Sequence, residues 1–365
     1  MRTLFCLVLI LQPAASVFAQ QTGAWQAANL ESFEIVWRTV RDRHPDAHLN
    51  GLNWVAVHDE TRPRIAAAKS IDEVRDILRG MLAKLDASHY AIIPENMYEP
   101  TQTSPPAAAT APVVAAPLVR QAEPDAPAPL MEPAKPGEGA GAPPQSAAPG
   151  QSESSDKMVS FGNLPQMRLT FESRTLPGGA GYIRFNEFLD PVSIMPQFEA
   201  ALRNFAEAPG VILDLRGNRG GIGIMAMGIA GFFIEKQGLK LGEMKMRDST
   251  LNFVIFPRPQ AYTGRLAILV DSGSASTSEI LAQGLQDLGR ARIFGTRTAG
   301  AALPSDIVRL PNGDGFQYAE ASYTSVKGKV LEGSGVTPDV EVHQTEDATR
   351  AGHDLVIEAA EKWIY

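Results

Sequence analysis

The chain has 365 residues, 44% of them hydrophobic, a formal net charge of -8 at pH 7 and a single cysteine. That length and apolar share suffice for a sizeable core in one or two domains. The acidic balance, with no basic cluster, excludes nucleic acid as a partner, and one cysteine excludes an intramolecular disulfide.

Arg2 followed by the short apolar stretch Thr3 to Leu11, and then Val17-Phe18-Ala19, predicts a signal peptide over 1–19, with the mature chain starting at Gln20. The apolar stretch is too short to span a membrane, and nothing later has the length. Cys6 falls inside the leader, so the mature chain would carry no thiol. An export signal without cysteine fits a bacterial periplasmic or secreted protein.

Residues 20–93 read as a helical module. Phe33, Val36, Trp37 and Val40 recur at helical spacing over 24–45, and His44-Pro45 stops the pattern. A second helix covers 53–68. The third is the clearest: Ser70-Ile71-Asp72-Glu73 is a capping box, and Ile71, Val74, Ile77, Leu78, Met81, Leu82 and Leu85 form one stripe. It ends in Asp86-Ala87-Ser88-His89-Tyr90. Taken alone, a histidine there reads as a surface or capping group. From Pro94 to Lys157, Pro, Ala, Gly, Ser and Glu dominate. Such a segment cannot bury enough apolar area to offset its ordering entropy, which predicts a disordered linker over 94–157.

Regular structure is expected to resume near Met158. Met167 to Phe171 and Ala180 to Phe185 read as strands, and Ile194, Phe198, Leu202 and Phe205 mark a helix. Val211 to Leu215 is a buried strand. Arg216-Gly217-Asn218-Arg219-Gly220-Gly221 then leads into a helix through Phe233. Leu266 to Val270 is a second buried strand, followed by turn chemistry from Asp271 to Ser276 and a helix carrying Ile280, Leu281, Leu285 and Leu288. That unit presents a serine at a helix N-terminus, where free N–H groups stabilise a developing oxyanion. The same residues, Ser276-Thr277-Ser278-Glu279, are also an ordinary capping box. A strand at 292–295, one antiparallel strand over 316–324, a short strand at 340–342 and a terminal helix over 346–362 complete the chain. Repeated β-then-α units imply a mostly parallel sheet covered by helices.

Four segments occur in one order: Gly181-Tyr182-Ile183-Arg184-Phe185; Asp214-Leu215-Arg216-Gly217-Asn218-Arg219-Gly220-Gly221; Ser274-Ala275-Ser276-Thr277-Ser278-Glu279-Ile280; and Gly335-Val336-Thr337-Pro338-Asp339-Val340-Glu341-Val342. Together they resemble the tail-specific, C-terminal-processing serine peptidases over about 158–345. The resemblance implies an α/β catalytic domain over 158–365 with a crotonase/ClpP-like ββα fold, and Ser276 as nucleophile. The processing branch pairs that serine with a lysine in a Gly-Lys step, where this chain has Gly300-Ala301. Lys327 and Lys329 lie nearby but outside the motif. The tricorn-core branch places a Ser-His pair after an N-terminal helix and a glutamate shortly before Gly-Val-x-Pro-Asp, matched here by Ser88-His89 and Glu332.

The resemblance therefore implies His89 as general base, Ser88 bridging Glu332 to the imidazole, and an oxyanion hole from the N–H groups of Thr277 and of Gly220 or Gly221. A serine hydroxyl needs such a base at neutral pH, and histidine titrates in the right range. No PDZ module is recognisable. The expected activity is that of an exported serine endopeptidase acting on peptides or unfolded segments, with no metal or other cofactor. The alternatives are a non-catalytic ligand- or peptide-binding protein on the same fold, and an esterase.

Overall fold

The computed structural model describes residues 14–97, 153–159 and 166–365. The first thirteen residues of the expected leader and most of the expected linker lie outside them. In chain order the elements are α1 (Ala14–Arg43), α2 (Trp54–Ala67), α3 (Ile71–Ala83), β1 (Ala91–Ile93), β2 (Glu153–Val159), β3 (Met167–Thr175), β4 (Gly181–Phe185), α4 (Pro191–Asn204), β5 (Gly210–Asp214), α5 (Gly223–Gly231), β6 (Lys240–Lys245), β7 (Thr250–Val254), β8 (Arg265–Val270), α6 (Thr277–Asp287), β9 (Arg292–Gly295), β10 (Ser305–Arg309), β11 (Gly315–Ala319), β12 (Ser322–Ser325), β13 (Val340–Glu341), α7 (Glu346–Arg350) and α8 (Leu355–Ile364).

The α3 stripe behaves as its spacing dictates. Ser70 Oγ accepts from Glu73 N–H at 3.2 Å, and Val74, Ile77, Leu78, Met81 and Leu82 are all buried. Each such side chain contributes roughly 1.5–3 kcal/mol. Reciprocal hydrogen bonds, Trp37 Nε1 to Trp54 O at 2.9 Å and Trp54 Nε1 to Trp37 O at 3.0 Å, fasten α1 to α2.

Seven strands form one mixed sheet in the order β13-β9-β8-β5-β4-β3-β2. The run from β4 through β13 is parallel, and β3 and β2 close one side antiparallel. Because β5 and β8 are covered on both faces, they carry continuous apolar runs, as Val211–Leu213 and Leu266–Val270 show. One face packs on α4, α5 and α6 through residues such as Phe198, Ile229 and Leu281. The other packs on α8 through Val356, Ala360 and Ile364.

A second sheet, β1-β11-β10, belongs to the helical module's core: Ile92, Phe316 and Tyr318 pack with Phe33, Trp54 and Leu78. The buried Asp314 carboxylate adds a clamp, accepting two bonds from Arg75 Nε and one from its NH2 at 2.7–3.2 Å and one from Glu95 N–H at 2.9 Å. Residues distant in sequence thus tie the helices to the rest of the fold. The third sheet is β12-β6-β7.

Several boundaries differ from the sequence reading. Helix α1 starts at Ala14, ten residues early, and β2 starts at Glu153 rather than near Met158. The single strand expected over 316–324 is two: β11 pairs with β10 and β1, while β12 crosses to β6. The helix expected over 346–362 is also two, with Asp354 Oδ1 capping the second by accepting from Val356 and Ile357 N–H at 3.1 Å.

Candidate active site

The site grows from the end of β8. Asp271 Oδ1 accepts from Gly217 N–H at 2.8 Å and Gly273 N–H at 2.9 Å, and the buried Ser274 hydroxyl donates to Leu215 O at 2.7 Å. These bonds turn the chain sharply and lock the turn against the loop after β5. Ser276 follows with φ 55° and ψ -118°. L side chains rarely adopt this conformation, which costs about 1–3 kcal/mol and persists only where neighbours enforce it. Here Ser276 N–H donates to Ala301 O at 2.8 Å and to Glu279 Oε2 at 3.0 Å.

A capping serine has ordinary extended backbone; Ser276 does not. Ser276→Gly relieves the strain at some entropic cost, so it should unfold about 1 kcal/mol harder than Ser276→Ala, a few °C in thermal melting. Equal midpoints for the two variants would show that the backbone there stores nothing.

Glu279 does more than cap. Its fully buried carboxylate accepts from Thr298 Oγ1 at 2.5 Å, Gly300 N–H at 2.8 Å and Ala301 N–H at 3.0 Å, besides Ser276. It therefore fastens the 298–301 loop to the start of α6. Asn218 does the same on the other side. Its Nδ2 donates to Phe185 O at 2.9 Å, and its Oδ1 accepts from Gly220 N–H and from Ser278 Oγ, both at 2.9 Å. Neither residue was singled out for this work in the sequence, although each stands inside a quoted motif.

The Gly220–Gly221 loop lies against Ser276. A Cβ on Gly220 would stand 2.7 Å from Thr277 N and 2.8 Å from Ser276 Cβ, and the φ of 95° also suits glycine. Phe188 runs beside the loop: its N–H donates to Gly220 O and its C=O accepts from Ile222 N–H, both at 2.7 Å. In a parallel pairing of this kind the residue between, Gly221, turns its own N–H and C=O the other way. Thr277 Oγ1 takes that carbonyl at 2.8 Å. Among the described residues no acceptor is bonded to Gly221 N–H or Thr277 N–H, whereas Gly220 N–H is committed to Asn218. Of the two expected glycine donors, Gly221 is the open one.

Ser88 N–H donates to Glu332 Oε1 at 2.7 Å and Ser88 Oγ to Glu332 Oε2 at 2.9 Å. Ser88 Oγ is also 2.6 Å from His89 Nδ1. A hydroxyl has one proton; given to the carboxylate, it leaves the oxygen to accept from Nδ1–H. That tautomer leaves Nε2 with a free lone pair. Burial pushes the imidazole below its ordinary value, against the upward pull of Glu332. His89, like Ser276, is held at positive φ, at 61°.

Ser88, His89 and Glu332 thus come together in one hydrogen-bonded chain. His89 and Ser276 share no hydrogen bond, but both are tied to one segment: Glu332 Oε2 accepts from Ala302 N–H at 3.1 Å, and Ala301 O accepts from Ser276 N–H. Ala301, where the resemblance leads one to expect the processing branch's lysine, has both backbone groups occupied and no amine to offer. Lys327 is exposed, its N–H on Asp287 at 2.9 Å. Lys329 is half-buried, its ammonium pulled below the ordinary lysine value by burial and by Arg297.

Comparison with known proteins bears on family and fold. Residues 179–342 match peptidase family S41, and residues 26–83 match the tricorn protease C1 domain. The chain is 29% identical over 196 residues to a carboxy-terminal-processing protease of Bartonella bacilliformis, covering 50% of this chain and 43% of that one. It spans less than half the length of the curated relatives it matches. In fold it is similar to a putative peptidase from Parabacteroides merdae (TM-score 0.60, 18% identity, 92% of this chain and 96% of that one). It is similar also to the photosystem II D1 C-terminal processing protease (TM-score 0.51, 17% identity, 86% and 93%). Residues 179–342 are thus similar to peptidase family S41, residues 26–83 to the tricorn protease C1 domain, and the chain over half its length to a carboxy-terminal-processing protease.

Proposed function

We propose that the protein is an exported serine endopeptidase that cleaves peptides or unfolded protein segments through an acyl-enzyme, with the Ser-His-Ser-Glu arrangement of the tricorn-core branch. The observation that carries this reading is the Glu332–Ser88–His89 chain, which leaves Nε2 of a half-buried, neutral imidazole as the free base. Ser276 Oγ attacks the substrate carbonyl and gives its proton to Nε2. The oxyanion is held by Thr277 and Gly221 N–H. His89 then protonates the leaving amine, and water repeats the sequence on the ester. Hydrogen bonds between nucleophile and base commonly tighten only once substrate is bound, which suits a base carried by one module and a nucleophile carried by another.

The parallel sheet with α4, α5 and α6 on one face supports the crotonase/ClpP-like reading of the peptidase domain; the expected linker, which β2 ends at Glu153, stands where a PDZ module could otherwise be. The leader-like start, Arg2 followed by Thr3 to Leu11, supports export.

A fluorophosphonate probe is expected to label the wild-type chain at Ser276, found by mapping the modified peptide, and to label His89→Asn at least about 100-fold more slowly. Absence of labelling would leave a binding protein on the same fold. Labelling with turnover of acetyl esters but of no peptide would make the protein an esterase.

A further inference from the structure

Glu187 lies two residues beyond β4, in the segment that runs beside the Gly220–Gly221 loop. Its neighbours all have structural work. Asn186 accepts from Thr170 N–H and donates to Arg168 O, both at 2.7 Å. Phe188 is fully buried in the core and holds the loop through both its backbone groups. Asp190 caps α4, accepting from Ser193 N–H, and pairs with Lys157.

Glu187 has no such task. Its side chain is half-buried, yet among the described residues its carboxylate takes part in no hydrogen bond or ion pair. Neither oxygen is among the sealed, unpartnered buried atoms, so the group remains reachable from outside. Burial raises this carboxyl to about 7, with Arg219, exposed on the loop, acting weakly against the shift. A carboxyl withdrawn from water without a donor is a net cost to the fold. A cation delivered to it would restore the ionised form and supply the missing partner.

We propose that Glu187 is a specificity residue of the site, pairing with the ammonium or guanidinium of a basic substrate side chain that lies beside the Gly220–Gly221 loop. This rests on the reading of Ser276 as the nucleophile of a peptidase. The register explains why a substrate would meet Glu187: one residue further along, Phe188 positions Gly221, whose open N–H is the oxyanion donor in that reading. The Phe188–Gly221 pairing puts Glu187 one residue from the backbone partner of that donor, the position from which it would meet such a side chain.

The test compares peptides that differ only by lysine, norleucine or glutamate at single positions around a cleavage site, which differ in charge. Binding is measured by fluorescence anisotropy on Ser276→Ala, and kcat/KM on the otherwise unaltered chain. At one position lysine is expected to be favoured over norleucine by about 10-fold or more in both measurements. In Glu187→Gln that ratio should fall to near one. In Glu187→Lys glutamate should become the favoured residue there. An undiminished lysine preference in Glu187→Gln, or no position at which lysine binds better than norleucine, overturns the assignment. If Ser276→Ala shows the Glu187-dependent preference but the unaltered chain cleaves neither peptide, the peptidase reading fails while the recognition by Glu187 stands.

Discussion

Replacing His89 by asparagine is expected to lower kcat/KM on an unstructured protein by about 1,000-fold or more, the order lost with a general base and the nucleophile it serves. Asparagine is the informative choice. His89 sits at φ 61°, where alanine would add backbone strain but asparagine is tolerated, so loss of activity would not reflect loss of fold. Ser276→Ala should be as inactive.

Two further variants separate this mechanism from a lysine base. Since the base acts unprotonated, activity should rise with pH through the pKa of His89. Burial holds that value below the ordinary imidazole pKa near 6.5, so the acid limb should lie below that pH. Glu332 pulls the imidazole upward, so Glu332→Gln should move the limb to still lower pH while reducing kcat. A base such as Lys329 would place the limb far higher, and Lys329→Met would then be the inactive variant. Full activity in His89→Asn would dismiss the imidazole.

The parts legible in the sequence are those whose pattern is local. Helix α3 announces itself by a cap and a seven-residue stripe, and its core-facing residues are buried as the spacing requires. The unit β8–turn–α6 is legible because an apolar run, six small or polar residues and a helical period follow one another without interruption. Strand β6 is not: only Leu241 and Gly242 of its six residues are buried, and its pairing with β7 shifts register between Lys240 and Glu243. The alternation over 316–324 is real on both sides of the break. However, Phe316 and Tyr318 face the helical module's core and Tyr323 the other, and period two says nothing about which sheet a strand joins.

The site divides in the same way. Ser276 stands on a local pattern that a cap would share. Ser88 and Glu332, 244 positions apart, have no local signal linking them, and only resemblance to a family put them on one list. They meet because β10 and β11, late in the chain, complete the core of the first helices. That packing carries the loop after α3 to the segment before β13. Asn218 and Glu279 were visible as residues, but what each one holds depends on loops that close in three dimensions.

Glu279 offers the sharpest contrast between a helix cap and an active-site support. Were it only the N3 member of a capping box, Glu279→Gln would cost a few tenths of a kcal/mol up to about 1 kcal/mol. As found, both its oxygens accept, from four donors on two segments, and it has no exposed surface. An amide replaces one accepting oxygen by two N–H groups, which then face donors, so at least two buried bonds are lost and like groups are set against each other. The expected loss is about 2–4 kcal/mol of unfolding free energy, read from the denaturation midpoint at unchanged m-value. Activity should fall further than stability alone explains. Releasing Ser276 N–H and Ala301 N–H frees the strained serine and loosens the segment through which Glu332 holds Ser88 and His89. Under conditions where Glu279→Gln remains fully folded, labelling of Ser276 should therefore be slowed by at least about 10-fold. A loss near 0.5 kcal/mol with normal labelling would return Glu279 to the role of a simple cap, and would leave the geometry of Ser276 to be enforced by the Ala301 carbonyl alone.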